Sequence, residues 1–560
     1  MKIFNFLFLL LFCFGLKSSA QFSKYVVQFK DKAGTNFSIN NPSQFLSAKS
    51  IERRNKQQIS IDETDLPIPS RYIDSVRLAG NVIILNQSKW LNQVCIETGD
   101  EAAILKINKL PFVKHLQPVM RVSNQQLISK NKFTEEINKI VSPQSPMNPS
   151  DYYSYGNSFG QINIHEGEYL HNKGFHGEGM LMAIIDAGFY HYQTLPAFDS
   201  VRINNQIADT YDFVANKVNV NEESSHGMQC FSIIAGNIPG KLVGSSPKAK
   251  FYLYRSEDAS SESPVEEQNW IAAAERADSI GIDVISTSLG YSTFDNPIFN
   301  YSYQDMNGKT TMIAKAASLA AKKGMILLVA AGNEGANSWH YILSPGDADS
   351  VITVGAVNSS GAPASFTSYG PSSDGRVKPT VASVGVATVI SSPNGTIVTG
   401  NGTSFATPNL AGLVTCLWQA FPDFTNMEII EAVKKSSSIY NFPDTRIGYG
   451  IPNFRIAFED LNEKRILRNI TLILANERIK IYPNPAKNNF TVVINPKNTA
   501  VTVFRLYDAG GKLYYSKTAS LVAEQPQSIL FKDMPVLQKG IYFLKADNGK
   551  YKRTVKVVVQ

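Results

Sequence analysis

The sequence predicts an α/β protein built on a mostly parallel sheet flanked by helices, with a small α+β domain before it and a small all-β sandwich after it. Continuous apolar runs at 180–185 and 325–331 are typical of buried parallel strands, and a long apolar run at 405–418 predicts a core helix. After residue 461 the pattern changes to short alternating strands separated by Gly-rich turns. The 560 residues are enough for two or three domains.

The N-terminus predicts a secretory signal peptide over residues 1–20. Lys2 supplies positive charge, residues 3–16 are almost wholly apolar, and Ser18-Ser19-Ala20 is a small-residue cleavage site, which makes Gln21 the first residue after cleavage. A membrane anchor is the alternative interpretation, but the apolar stretch is shorter than a typical span, and no second stretch of sufficient length follows. We therefore expect export through the periplasm, to the cell surface or into the medium.

Residues 21–122 predict a small domain in which strands alternate with helices. Apolar spacing indicates helices over 45–54 and 102–110. The expected strands are 25–29, 81–85, 93–97 and 113–116. The following segment, 123–158, is rich in Ser, Asn, Gln and Pro and predicts an exposed linker in which proteolytic processing occurs.

Four residues of the next domain, 159–460, carry chemistry at the ends of predicted elements. Asp186 follows the first apolar run, His226 begins a helical run, Asn333 follows the second strand, and Ser404 precedes the core helix on a tight turn. A serine hydroxyl needs a base to become a nucleophile, and an amide at a strand end can donate to an oxyanion. Each residue alone is common in turns or caps, but the four in this order indicate a catalytic site.

These motifs resemble those of the subtilisin-like serine proteases (subtilases), over roughly residues 150–460. They are Asp186-Ala187-Gly188, His226-Gly227-Met228, Gly332-Asn333-Glu334-Gly335 and Gly402-Thr403-Ser404-Phe405-Ala406-Thr407-Pro408. The order Asp, His, Ser is that of the family. The chain departs from it at Ala187, where Ser or Thr is common, at Met228, where Thr is common, and at Phe405, where Met is usual.

The resemblance implies a subtilisin-like fold and a secreted serine endopeptidase that works through an acyl-enzyme. Asp186 would orient the imidazole, His226 would act as base and then acid, and Ser404 would be the nucleophile. Asn333 and the Ser404 N–H would form the oxyanion hole. The substrate-binding positions would be Ser286, Thr287, Ser288, Leu289, Gly290, Ala331 and Gly332. Glu334 would either face the specificity pocket and favour basic side chains, or lie on a solvent-facing turn.

Three alternative functions stay open at this point. The chain could be a catalytically weak peptide-binding paralogue, which the departures at Ala187 and Met228 favour. It could be a surface-binding protein whose C-terminal sandwich carries the function. It could also be a processing protease that matures other exported proteins.

The two flanking domains also resemble known modules. Residues 21–122 look like a subtilase propeptide, which implies an inhibitor and folding assistant for the protease. A linker over 461–476 leads to a sandwich over 477–560, which begins with Ile481-Tyr482-Pro483-Asn484-Pro485 and ends on a basic strand. That sandwich resembles the C-terminal sorting domain of type IX secretion cargo, with an immunoglobulin-like binding module as the alternative. The implied partners are protein or peptide substrates, the chain's own propeptide and the type IX secretion machinery.

Charge and cysteine content exclude other classes of function. The net charge of +7 comes from scattered lysines without a basic stripe, so nucleic-acid binding is not expected. Cys13 leaves with the signal peptide, and Cys95, Cys230 and Cys416 are expected as buried thiols outside any disulfide framework. No Cys/His set has metal-ligand spacing, so the chemistry requires no cofactor. Structural calcium is common in the family, but its ligands cannot be assigned on this chain.

Overall fold

The computed structural model describes residues 22–121, 132, 137–139, 150–221, 224–476, 479–487 and 489–560. The predicted signal peptide and most of the predicted linker 123–158 lie outside these residues. The chain divides into two compact units, one ending at Ala457 and the other Phe458–Gln560.

The N-terminal domain is a four-stranded antiparallel sheet with helices, as the sequence predicts. Its elements are β1 (Phe22–Phe29), α1 (Ala48–Lys56), α2 (Ser70–Arg77), β2 (Ile83–Ser88), β3 (Gln93–Glu97), α3 (Glu101–Asn108) and β4 (Val113–Arg121). The strand order is β2-β3-β1-β4. Val27, Val76, Val94 and Ile107 are fully buried and form much of its core. Helix α2 is an element that the sequence patterns did not indicate.

The central domain is built on a parallel sheet of seven of the described strands. The elements are β5 (Ile137–Lys139), α4 (Phe159–Asn163), α5 (Gly167–Asn172), β6 (Leu181–Asp186), α6 (Asp199–Ile203), β7 (Ile207–Asp212), α7 (His226–Ala235), β8 (Asn237–Ile238), β9 (Leu242–Val243), β10 (Lys250–Arg255), α8 (Val265–Ile280), β11 (Val284–Thr287), α9 (Met312–Lys322), β12 (Ile326–Ala330), β13 (Ile352–Val357), β14 (Val381–Val384), β15 (Thr388–Ser391), β16 (Ile397–Gly400), α10 (Thr403–Ala420) and α11 (Asn426–Lys435). The strand order is β14-β13-β12-β11-β6-β10-β7, and every pair is parallel. Strands β6 and β12 are the two apolar runs that the sequence predicts as buried strands.

Six short 3-10 turns complete the regular structure of the described residues. They are Pro42–Gln44, Glu63–Asp65, Gly156–Ser158, Pro196–Phe198, Pro297–Phe299 and Tyr303–Asp305.

Helix α10 runs through the core rather than along its surface. Nearly all of its side chains are buried, and it contacts α7 and strands β11 to β14. A helix that is apolar on all sides is stable only in such an interior position. The helix begins at Thr403, so Ser404 is its second residue and not part of a turn before it.

The N-terminal domain packs on helix α8 through buried polar contacts. Arg54 pairs with Asp278 on α8 at 2.7 Å, and Ser88 donates to Glu275 on the same helix at 2.5 Å. Arg54 also pairs with Asp65 at 2.9 Å, and all three of these charged groups are fully buried. Removing one partner of such a cluster leaves an uncompensated buried charge. The cluster therefore stabilises one arrangement of the N-terminal domain on helix α8.

The described parts of the predicted linker contact the central domain. Strand β5 pairs antiparallel with β16, with Ile137 opposite Gly400. Tyr155 and Ser158 are buried. The sequence predicted exposure here from polar composition, whereas the Tyr155 hydroxyl bonds to His171 and the Ser158 hydroxyl donates to the Val243 carbonyl.

The C-terminal unit contains a small antiparallel sandwich, as predicted. Its elements, with the helix that precedes it, are α12 (Phe454–Asn476), β17 (Lys480–Tyr482), β18 (Phe490–Ile494), β19 (Ala500–Asp508), β20 (Leu513–Leu521), β21 (Gln527–Phe531), β22 (Gly540–Asp547) and β23 (Lys552–Val559). One sheet has the order β17-β18-β21 and the other β20-β19-β22-β23. Phe490, Phe504, Phe531 and Leu544 fill the space between them.

The segment 461–476, predicted as a linker, is helical. It continues α12 without interruption, because no Gly or Pro occurs between residues 454 and 476 to end the helix. No helix within the described part of the chain is long and apolar enough to cross a membrane.

Candidate active site

Asp186 and His226 form a buried hydrogen-bonded pair. Asp186 is the last residue of β6, and His226 is the first residue of α7. The imidazole Nδ1 lies 2.6 Å from Asp186 Oδ1, and the two side chains are 0 % and 3 % exposed. A carboxylate at Nδ1 fixes the orientation of the ring and places Nε2 on its opposite side.

The Asp186 carboxylate is supported on one oxygen only. Oδ1 also accepts a hydrogen bond from the Ala187 N–H at 2.7 Å, whereas Oδ2 is buried and has no hydrogen-bond partner among the described residues. Residue 187 is where the subtilase pattern commonly has Ser or Thr. Its alanine methyl supplies no donor, so this departure removes a hydroxyl next to an acceptor that lacks a hydrogen bond.

Gly227 lets helix α7 approach strand β6 closely. A Cβ added at this position would lie 2.6 Å from the Gly188 carbonyl oxygen and 2.8 Å from Asp186 Cβ. Both distances are shorter than van der Waals contact, and the nearest atom is backbone, which cannot rotate away. The residue after His226 must therefore be glycine for the Asp186–His226 contact to form.

The backbone at Ser404 is fixed by hydrogen bonds to its carbonyl oxygen. Ser288 Oγ donates to this oxygen at 2.7 Å, and Cys230 Sγ donates to it at 3.3 Å. As the second residue of α10, Ser404 has its N–H among the first four of the helix, which lack an intrahelical acceptor. Helix N-termini favour negative charge nearby.

Asn333 is oriented by Thr403, the neighbour of Ser404. Its Oδ1 accepts from both the Thr403 N–H and the Thr403 hydroxyl, each at 2.9 Å. Because a backbone N–H can only donate, the amide oxygen must face Thr403. The amide NH₂ is therefore the end of Asn333 that faces away from Thr403.

These residues surround one cavity of about 440 Å³. It is lined by His226, Asn333 and Ser404, and by Ser288, Leu289, Gly290 and Gly332 from the predicted substrate-binding positions. Ser286 and Thr287 lie inside the sheet on β11, paired with β6 and β12, and Ala331 is buried. Glu334 lines the cavity and accepts a hydrogen bond from the Asn337 side chain at 2.9 Å.

Sequence reasoning missed several residues of this site. Thr403 was part of a quoted motif, but its role in orienting Asn333 depends on contacts 70 positions apart. Glu257, Glu262 and Lys132 also line the cavity and were not singled out. The sequence gave little indication of a role for these three residues, since isolated Glu and Lys residues in polar loops usually face solvent.

Two groups of His, Cys and acidic side chains among the described residues are close enough to share an ion. Asp186, His226 and Cys230 form one, and Glu257, Glu262 and Glu266 form the other. Calcium takes six to eight oxygen ligands, which the first group does not offer. The second group surrounds the ammonium of Lys132, so a structural calcium ion fits neither group as they stand.

The described cysteines match the expectation of buried thiols. Cys95, Cys230 and Cys416 are buried, and none of them forms a disulfide. Burial raises the pKa of the Cys416 thiol, and that of Cys95, to about 12, which keeps both protonated and unreactive.

Three family models match the chain. They are the subtilase family over residues 177–450, a peptidase S8 propeptide domain of Bacteroidota over 24–136, and a secretion system C-terminal sorting domain over 480–560. Together they cover the three parts that the sequence patterns distinguish.

Individual proteases are similar to the central domain. Subtilisin NAT of Bacillus subtilis subsp. natto is 30% identical over 292 residues, which is 51% of this chain and 68% of that protein. Subtilisin of Bacillus pumilus is 30% identical over 51% of this chain and 94% of its own length. The crystal structure of MycP1 from Mycobacterium smegmatis is 21% identical, covers 58% of this chain and 89% of that chain, and has a TM-score of 0.43.

The chain belongs to the subtilase family, and it is a serine endopeptidase that hydrolyses proteins. It carries its own propeptide domain and a type IX secretion sorting domain, so it is exported to the cell surface or the medium. Subtilases need no cofactor for catalysis.

Replacing Gly227 by Ala should reduce proteolytic activity about 10²-fold or more. The added methyl forces α7 away from β6 and displaces the His226 imidazole, and displacements of about 1 Å have effects of this size. Hydrolysis of a casein substrate measures the change, with Gly160→Ala as the control, because a Cβ there meets nothing within 4 Å. Near-normal turnover by a folded Gly227→Ala enzyme would contradict this steric account.

Proposed function

We propose that Asp186, His226 and Ser404 are the catalytic triad of this endopeptidase. The observation that carries the proposal is the 2.6 Å Asp186–His226 contact on the wall of the cavity that also holds Ser404. The buried carboxylate orients the imidazole and stabilises its protonated form. Glu257 and Glu262 also line this cavity, but their group contains no histidine and holds the Lys132 ammonium.

The reaction proceeds in two halves. Ser404 Oγ attacks the peptide carbonyl carbon while its proton passes to His226 Nε2, which gives a tetrahedral intermediate. The C–N bond then breaks as His226 returns the proton to the leaving amine, and an acyl-enzyme remains on Ser404. Water, deprotonated by His226, attacks the acyl carbon and releases the acid and the free serine.

The oxyanion of each intermediate is held by two donors. One is the Asn333 NH₂, which Thr403 turns away from itself, and the other is the Ser404 N–H at the start of α10. Donors fixed in advance stabilise the developing charge without reorganising during the reaction. The Ser288 and Cys230 bonds to the Ser404 carbonyl serve the same purpose by fixing the backbone.

We further propose that the segment after the N-terminal domain blocks this cleft until it is cut. Lys132 lines the catalytic cavity, and β5 pairs with β16, which leads into Ser404 four residues later. Lys132 therefore lies in the catalytic cavity, and Ile137, later in the chain, is paired with the strand that leads into Ser404. We keep 21–122, 159–460 and 477–560 as the proposed domain limits. We assign no ligands to a structural calcium ion.

Asn333→Ala should lower turnover roughly 10²–10³-fold with little change in KM. The lost donor acts on the intermediate and not on bound substrate, and an oxyanion-hole asparagine of subtilisin supplies the expected magnitude. Steady-state kinetics on a peptide substrate measure kcat and KM separately. Asn337→Ala is the control, since Asn337 is exposed on the same loop and contacts Glu334. A wild-type kcat in the Asn333→Ala enzyme would show that Asn333 is not part of the oxyanion hole.

The mature wild-type enzyme should begin downstream of Lys132, whereas Ser404→Ala should keep the N-terminal domain attached. Self-cleavage needs the proposed nucleophile, so the variant accumulates as the precursor. Intact mass and N-terminal sequencing of both secreted proteins distinguish the two forms. An active wild-type enzyme that starts at Gln21 would contradict the proposal, as would identical processing of purified Ser404→Ala protein.

A further inference from the structure

Three carboxylates form a cluster beside the proposed catalytic residues. Glu257 and Glu262 line the same cavity as Ser404, and Glu266 lies directly behind them in the first turn of α8. Their carboxylate oxygens lie within 4.8 Å of one another. The catalytic mechanism proposed above uses none of the three.

The cluster holds a cation from another part of the chain. The Lys132 ammonium lies 2.8 Å from Glu257, 2.9 Å from Glu262 and 2.8 Å from Glu266. The Lys132 backbone N–H donates to the Ala259 carbonyl at 3.1 Å, which aligns the chain with this loop. Lys132 falls within the residues that match the propeptide family, so its ammonium is an occupant that processing would remove.

Contacts that do not involve Lys132 hold two of the carboxylates in place. The second oxygen of Glu257 accepts a hydrogen bond from the buried Tyr291 hydroxyl. Glu266 accepts from the backbone N–H groups of Asp258 at 2.9 Å and Ser263 at 3.0 Å. Glu257 and Glu266 are each 1 % exposed, and Glu262 is 24 % exposed and forms the rim.

The electrostatics of the cluster favour a positive charge. Burial, followed by repulsion from Glu257, raises the pKa of Glu266 well above its ordinary value. Burial acts to lower the pKa of Lys132, but the three carboxylates outweigh it and hold that pKa well above the usual value. Once Lys132 is removed, these buried carboxyl groups either take up protons or bind another positive group, such as a lysine ammonium.

We propose that Glu257, Glu262 and Glu266 form a specificity subsite that selects a lysine side chain upstream of the bond to be cut. Lys132 is its occupant in the precursor, and substrates place a lysine there after processing. We place the lysine upstream of the cut bond because of the direction of the chain. Lys132 lies in the cleft and precedes Ile137, which pairs with the strand leading to Ser404. This inference rests on the proposed function of that site.

The geometry favours lysine over arginine. Three carboxylates converge on a single nitrogen, which matches the three donors of one ammonium. A planar guanidinium spreads its donors over a fork that suits one carboxylate in a bidentate arrangement. The same contacts made by a substrate would position its scissile bond along the cleft.

Matched peptides test the subsite on the mature enzyme. We would use an internally quenched peptide with the sequence of residues 128–140 and its versions with norleucine or arginine in place of Lys132. The expected kcat/KM is roughly 30-fold or more higher for lysine than for norleucine, with arginine between them, since losing one member of a desolvated charge pair has effects of this size. Mass spectrometry of the products should show that the cleaved bond lies on the C-terminal side of Lys132. Equal rates for lysine and norleucine would overturn the proposal.

Variants of the enzyme test the carboxylates themselves. Glu257→Gln and Glu262→Gln should each reduce the lysine-to-norleucine ratio, and the double variant should bring it towards one. Because the ratio compares two peptides on one preparation, partial misfolding cancels. Glu431→Gln on α11, which makes the same charge change at a residue outside the cavity lining, should keep the wild-type ratio. An unchanged ratio in the double variant would overturn the assignment.

Active-site labelling separates failure of this inference from failure of the proposed function. A fluorophosphonate that labels the enzyme, together with equal cleavage of the lysine and norleucine peptides, would reject only the lysine subsite. An enzyme that neither reacts with the probe nor cuts any of the peptides would reject the triad, and the subsite with it.

Discussion

The parallel register of the central sheet is the constraint on which the site depends. Strands β6, β11 and β12 are paired so that Ile185 lies opposite Thr287, and Thr287 opposite Val329. Their carboxyl ends therefore meet at one edge, where open α/β sheets bind ligands. A slip of one residue in any strand would turn its side chains to the other face and move Asp186 or Ser288 away from the cavity.

Helix α10 couples this edge to the buried core. Its apolar length packs against the sheet, and its first turn delivers Thr403 and Ser404 to the cavity. Thr403 orients Asn333, and Ser288 holds the backbone of Ser404, so residues from three separated elements fix one another. The stability of the core and the geometry of the proposed site therefore depend on the same contacts. His226 depends on them too, because Gly227 lets α7 lie close to β6.

The sequence predicted the class of fold, and it pointed to the principal residues of the proposed site because each stands beside a strong local signal. Asp186 and Asn333 follow apolar strands, and His226 and Ser404 stand at helix starts. The acidic cluster gave no such signal, since Glu257, Glu262 and Glu266 look like loop and first-turn residues that usually face solvent. Their proposed role depends on ion pairs with Lys132, which is more than 120 positions away in the sequence. Local sequence patterns do not predict contacts between such distant positions. A linker was predicted over 461–476, where helix α12 continues, although no Gly or Pro breaks the helix there.

The most direct test of the central claim is the intact mass of the secreted enzyme before and after fluorophosphonate treatment, followed by peptide mapping. We expect one adduct per molecule of mature wild-type enzyme, located on Ser404, and none on Ser404→Ala. An adduct on another residue, or no adduct on fully processed and folded wild-type protein, would contradict the assignment of Ser404 as the nucleophile.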